Sequence, residues 1–263
     1  MPKQSAHSRS RRAAEFPQAT NVLVIIHGAG IWKPTYADNM VDAMQEIAQK
    51  KIEFHAACYG HMRVASFRES EKSQMWFEKL QAEFNQTKRT RAGAQSKLPL
   101  SRIPMPGNIN ALVTLKHVAA YLGNSSYARR LRKILFDQLK IAQASGKPIV
   151  LVSHSLGSVI AYDVLRKLDF EIARWYTVGC PLDKLVRIRA RTNRLGNIPR
   201  VVLRWHNLYD THDWVASELK RFKFAIDNHQ VETADTMPAA HDYFDTAEPR
   251  KCYAEAFRGD KPR

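Results

Sequence analysis

The most constraining feature of this sequence is an apolar run that ends abruptly in a short turn of small and polar residues. Residues 149–152 are all aliphatic, and such a run is typical of a strand buried on both faces of a parallel sheet. Residues 153–158 follow at once, and from residue 159 to 168 the apolar side chains recur at helical spacing. The sequence therefore predicts a buried strand, a tight turn centred on Ser155 and a helix.

The rest of the chain repeats this alternation of strand and helix. Residues 22–26 form a second apolar run, which ends in His-Gly-Ala-Gly at 27–30, and a helix is expected over 37–50. Alternating strands and helices predict an α/β fold with a mostly parallel central sheet flanked by helices. Further strands are expected at residues 52–58, 175–178, 201–205 and 229–232.

The domain organisation follows from the same pattern. Residues 1–20 are basic and polar and are expected to form a flexible tail, and residues 21–263 to form a single domain. A helical and loop excursion is expected at about 60–127, before the strand that leads to Ser155. Within it, residues 74–84 are predicted to be helical and residues 88–107 to be a basic, proline-rich loop. An insertion of this length could serve as a lid over a cleft.

The composition indicates the cellular compartment of the protein and the class of partner that it binds. The three cysteines show no metal-binding or disulfide spacing, and the first residues lack the apolar core of a secretory signal, so a cytoplasmic protein is expected. No apolar stretch reaches the roughly 18 residues that a spanning helix needs. The net charge of +16 favours contact with an anionic partner, such as a phospholipid surface or a nucleic acid. A solvated basic surface without a partner is the alternative.

The turn around Ser155 has the residue types that a nucleophile needs. Ser153-x-Ser155-x-Gly157 is a small-residue variant of the G-x-S-x-G turn, in which a sharp strand-to-helix bend exposes the central hydroxyl. Small residues on either side let the strand and the helix approach closely. The following helix directs its N-terminus, and hence its partial positive charge, toward the serine. Ser155 is thus the predicted nucleophile, whereas the adjacent His154 is expected to be a packing residue.

With His-Gly-Ala-Gly after one strand and Ser-His-Ser-Leu-Gly-Ser after another, the chain resembles the lipase and esterase branch of the α/β-hydrolase superfamily, from about Asn21 to about Phe244. The resemblance implies that the backbone N–H groups of Ala29 and Leu156 form the oxyanion hole. It also implies the chain order serine, acid, histidine for the catalytic residues.

Candidate bases are the four histidines that follow Ser155. His241 lies in a loop-like segment near the end of the chain, in a context similar to that of the family's histidine, and is the predicted base. His229 is the alternative. The remaining two are His206 and His212.

Two of the three candidate acids lie in the segment after the strand expected at 201–205, and the third follows an earlier strand. Asp213 is the predicted acid because Asp213-Trp214-Val215 is similar to the D-x-V context of the family, although Trp214 stands where proline is frequent. Asp210 is the second choice and Asp183 a third. The sequence does not decide between them.

These residues predict a serine hydrolase that cleaves a carboxylic ester, of a small molecule or a lipid, through an acyl-enzyme and without a cofactor or metal. Thioesters and amides remain open as substrates, and so does the oligomeric state. One alternative is a metal site built from His206, Asp210, His212, Asp213 and His241. The other is a non-catalytic hydrolase-fold protein whose basic clusters bind nucleic acid or phospholipid. Those clusters are residues 9–12, 88–91, 129–133, 187–194 and 220–223.

Overall fold

The computed structural model describes residues 16–29, 33, 35–60, 62, 70–91, 111–188, 199–222, 226–235 and 239–258. The first half of the chain contains β1 (Gln18–Ile26), α1 (Asp38–Ala48), β2 (Lys51–Ala57), α2 (Glu71–Arg91), α3 (Ala111–Gly123) and α4 (Ser125–Ala144). The second half contains β3 (Ile149–His154), α5 (Leu156–Leu165), β4 (Arg174–Val178), α6 (Leu182–Ile188), β5 (Trp205–Tyr209), β6 (Asp227–Gln230) and α7 (Ala247–Ala254). Two 3₁₀ turns lie at Ala239–His241 and Glu255–Phe257.

The six strands form one sheet in the order β2-β1-β3-β4-β5-β6, and every neighbouring pair is parallel. The predicted α/β fold with a parallel central sheet is therefore confirmed. Strand β2 pairs with one edge of β1, and the chain then returns so that β3 pairs with the other edge of β1. The connections that leave β1 and β3 consequently diverge, and open α/β sheets bind ligands in the crevice at such a point.

The core has two parts because successive side chains of a strand point to opposite faces of the sheet. Val22, Val24 and Ile26 of β1 pack on one face, in a cluster with residues of α3, α4 and α5. Leu23 and Ile25 pack on the other face, with residues of α1 and α7. Helices on both faces explain why β1 and β3 are apolar without alternation.

The strand predicted at residues 201–205 is wrong: β5 begins at Trp205 and ends at Tyr209. Val202 makes an isolated bridge to Ile172, and Leu203 is 59% exposed, so this apolar stretch is a turn on the surface. The polar Asn207 nevertheless lies fully buried within β5, because its side chain bonds to Thr177 and Asn228. Apolar content therefore did not indicate the position of this strand, because polar groups with hydrogen-bond partners can also lie in the core.

In its described residues, the excursion before β3 contains two helices where one was predicted. Helix α2 is longer than expected and includes the first residues of the predicted loop 88–107, and α3 was not predicted. The predicted tail lies outside the described residues up to residue 15, as do residues 92–110, so the lid stays a prediction. Among the helices that the structure describes, none combines the length and the apolar character needed to cross a membrane.

Candidate active site

Ser155 occupies the junction between β3 and α5 in a strained backbone conformation. Its φ of 51° and ψ of −121° are rarely adopted by residues other than glycine. The Ser155 N–H donates to the carbonyl of Val178 at 2.9 Å, which ties the turn to the end of β4. A Cβ atom at Gly157 would lie 2.5 Å from the carbonyl oxygen of His27, so only glycine fits there. The sharp turn thus depends on the last residue of the S-x-S-x-G motif.

The turn after β1 lies directly against Ser155. A Cβ atom at Gly28 would be 2.8 Å from the Cβ of Ser155, and Ala29 follows in a buried position. Leu156 is the first residue of α5, where backbone N–H groups lack partners within the helix. The two amides expected to form an oxyanion hole, those of Ala29 and Leu156, therefore belong to two turns that touch.

His27 holds the β1 turn in place, a role that the sequence analysis did not assign. Its Nδ1–H donates to the Gly28 carbonyl at 2.6 Å, and its Nε2 accepts the Tyr59 N–H at 3.0 Å. The Tyr59 hydroxyl donates to the His27 carbonyl at 2.9 Å, and the two rings stack at 4.0 Å. The sequence could have indicated this contact only through Tyr59, which follows β2. His27 follows β1, and the ends of two parallel neighbouring strands lie at the same edge of a sheet.

Asp213 is fully buried, and its carboxylate accepts hydrogen bonds from a ring N–H, a hydroxyl and a backbone N–H. Oδ2 accepts the Nδ1–H of His241 at 2.7 Å and the hydroxyl of Tyr243 at 2.9 Å, while Oδ1 accepts the Val215 N–H at 2.8 Å. Burial raises the pKa of Asp213, but the charge and hydrogen bond of His241, the Val215 amide and the charge of Lys184 outweigh burial and lower it. Asp213 is therefore an anion bonded to the predicted base.

The two other candidate acids make different contacts. Asp210 accepts the N–H of His212 at 2.7 Å through Oδ1 and the N–H and hydroxyl of Thr233 at 2.7 and 2.8 Å through Oδ2. Asp183 accepts the N–H of Arg221 at 2.9 Å. Both carboxylates hold loop backbone, and the hydrogen bonds of the described residues join neither of them to His241.

His241 and Ser155 each contact the turn after β4. The position that a Cβ of Gly179 would take lies 2.8 Å from the Cε1 of His241, and the preceding Val178 binds the Ser155 amide. Gly179 has a φ of 58°, which also favours glycine. Among the hydrogen bonds of the described residues, none joins the Ser155 hydroxyl to the His241 ring. The alternative base His229 instead lies on β6, 3.2 Å from His206 between their nearest ring nitrogens.

His154 packs against the predicted base, in line with the packing role expected for it. Its Nε2–H donates to the carbonyl of His241 at 3.0 Å, and its ring packs 4.6 Å from that of His241 and 5.2 Å from that of Phe244. Burial holds the pKa of His154 well below its usual range, and the neighbouring His241 adds to this effect. His154 is therefore neutral.

In the part of the chain that the structure describes, no group of three or more His, Cys, Asp or Glu side chains is arranged to hold a metal ion. Neither a known protein family, nor a curated protein, nor a solved structure matches this chain. The interpretation of function therefore rests on the geometry of the site.

Proposed function

We propose that this protein is a serine hydrolase of the α/β-hydrolase type that cleaves carboxylic esters through an acyl-enzyme. The observation that carries the proposal is the 2.7 Å bond between Asp213 and His241, beside a strained turn that bears Ser155. A hydroxyl is a weak nucleophile near neutral pH and needs a histidine to take its proton and a carboxylate to orient that histidine. The site contains all three groups in the chain order of this superfamily.

In the proposed first step the Ser155 hydroxyl attacks the acyl carbonyl while the His241 Nε2 accepts the serine proton. Asp213 keeps the Nδ1–H of His241 directed toward itself, which leaves Nε2 free to act as base. The bond between serine and histidine forms as substrate binds, because such catalytic contacts tighten in the complex. The N–H groups of Ala29 and Leu156 would stabilise the oxyanion, and one such donor is commonly worth about 10²–10³ in turnover.

The tetrahedral intermediate then collapses. The ester C–O bond breaks, the leaving alkoxide takes the proton from His241, and the acyl group remains on Ser155. Water attacks this acyl-enzyme with His241 as base again, which releases the carboxylic acid and restores the serine. Thioesters and amides could react through the same two steps, so the residues that contact the leaving group decide which of these substrates is cleaved.

A panel of p-nitrophenyl esters of graded acyl length tests the proposal. We expect the wild-type protein to release p-nitrophenol from at least one of these esters and Ser155→Ala to release none above the rate in buffer. Ser145→Ala is a matched control, since Ser145 caps the end of α4 through its bond to Ala142 and lies outside the site. Equal activity of Ser155→Ala and the wild type would contradict the proposal.

A further inference from the structure

Lys184 is an almost fully buried cation that the proposed reaction does not use. It lies on α6, and only 7% of the residue is exposed. Removing an ammonium group from water costs several kcal/mol unless hydrogen bonds and opposite charge offset the loss of hydration. A lysine in this position therefore must have strong and specific contacts.

The Lys184 ammonium donates to three consecutive backbone carbonyls. The Nζ atom lies 2.6 Å from the oxygen of Trp214, 2.9 Å from that of Val215 and 3.0 Å from that of Ala216. An ammonium group carries three N–H donors, so the full set can be used here. Three successive carbonyls can point at one atom only if the backbone curls around that atom. Lys184 thus dictates the course of the chain directly after Asp213.

Val215 connects the lysine to the acid. Its N–H donates to Asp213 Oδ1 at 2.8 Å, and its carbonyl accepts from Lys184. The other oxygen of Asp213 binds His241. A shift of the backbone at Val215 would therefore move the carboxylate that orients the predicted base.

The remainder of this loop is held by other side chains. Residues 210–222 contain no helix or strand, so their backbone groups lack the partners that regular secondary structure provides. Asp183 accepts the N–H of Arg221, Asn228 accepts that of Leu219, and Asn207 donates to the carbonyl of Ser217. Lys184 binds the part of the loop nearest to the acid.

We propose that Lys184 is a positioning residue for Asp213, the proposed catalytic acid. Lys184 fixes the backbone of residues 214–216 so that Asp213 faces His241. The inference rests on the proposed hydrolase function. Helix α6 begins three residues after Gly179, which packs on His241. Residues 179–184 therefore contact His241 through Gly179 and the backbone of residues 214–216 through Lys184.

The test compares two variants of Lys184 with a variant of Lys220, a lysine within residues 210–222. Lys184→Met removes the charge and all donors but keeps a long side chain, whereas Lys184→Gln keeps one donor group. The control is Lys220→Met, since Lys220 is exposed and pairs with Glu218 at 2.9 Å. The measured quantities are kcat and KM for a p-nitrophenyl ester, with reactive sites counted by titration with a fluorophosphonate, and the thermal midpoint of each variant.

We expect Lys184→Met to lower kcat per reactive site by about 10–100-fold with KM within about twofold of the wild type, because a misplacement of about 1 Å can cost about 10²-fold in rate. Lys184→Gln should fall between Lys184→Met and the wild type, and Lys220→Met should match the wild type. If Lys184→Met does not fold, Lys184→Gln decides by the same criterion.

A lysine that only stabilises the fold gives a different result. Its variants would lower the thermal midpoint and the yield of reactive sites, while kcat per site and KM stayed at the wild-type values, and this outcome would overturn the role of Lys184. A wild-type protein that hydrolyses no ester and takes up no fluorophosphonate would overturn the hydrolase proposal, and the role of Lys184 with it. The two failures are thus distinguished by the activity of the wild type.

Discussion

The two halves of the candidate site are built by different means. The nucleophile half depends on close approach of backbone, since Gly28 and Gly157 leave no room for a Cβ atom between β1, β3 and α5. The acid half depends on side chains that bind the segment around Asp213: Lys184 donates to the carbonyls of residues 214–216, and the Tyr243 hydroxyl donates to the Asp213 carboxylate. The first half should therefore be sensitive to added atoms, and the second half to lost hydrogen bonds.

The largest effect is expected from the acid itself. Asp213→Asn should lower kcat by about 10⁴, because the amide cannot hold His241 in the orientation and tautomer that the reaction needs. Steady-state hydrolysis of a p-nitrophenyl ester measures the loss. Asp210→Asn is the control, since Asp210 binds His212 and Thr233, and a larger loss of kcat for Asp210→Asn would reverse the assignment.

Gly157→Ala probes the nucleophile half. The added methyl would approach the His27 carbonyl oxygen to 2.5 Å and that of Ile26 to 2.9 Å, both of which are backbone atoms that cannot move aside cheaply. We expect a loss of about 1–3 kcal/mol in the free energy of unfolding, as is typical of overpacking. Denaturant titration measures it. Wild-type stability in this variant would mean that the helix and strand are not so closely packed.

Tyr243→Phe probes the acid half without replacing any of the three proposed catalytic residues. The hydroxyl donates to Asp213 Oδ2 and accepts the Asp210 N–H at 2.8 Å, so its removal leaves a buried N–H without a partner. A group left unpaired in this way costs about 1–3 kcal/mol of stability. The control is Tyr253→Phe, which removes a weaker bond of 3.3 Å to the Tyr243 carbonyl. Thermal unfolding should rank Tyr243→Phe below Tyr253→Phe, and the opposite order would contradict the comparison.

The difference between the two halves of the site also explains which parts of the molecule could be predicted from the sequence. Apolar runs and glycine spacing are local signals, so β1, β3 and the turn at Ser155 were found from the residues themselves. The acid half is assembled from residues far apart in the chain, such as Lys184 and Asn228, whose contacts no local pattern reveals. For the same reason β5 was predicted four residues too early: its polar Asn207 is buried because its partners lie on neighbouring strands.

The smallest expected effect concerns the surface, where we propose that the net charge of +16 favours an anionic phospholipid surface. Arg129 and Arg130 are exposed on α4, within the basic cluster at residues 129–133. Each cation near such a surface contributes about 1 kcal/mol, and salt weakens the attraction. Vesicles with anionic lipid should therefore sediment the protein at low salt, and Arg129→Glu with Arg130→Glu should reduce the bound fraction. Binding to DNA or RNA but not to vesicles would contradict the lipid preference.

The central claim, that Ser155 is the nucleophile, is tested most directly by locating a covalent adduct. The folded protein is treated with a fluorophosphonate probe, digested and mapped by mass spectrometry. We expect one adduct, on the peptide that contains Ser155, and no adduct on Ser155→Ala even though that variant keeps the wild-type thermal midpoint. An adduct on another residue, or no adduct on the folded wild-type protein, would contradict it.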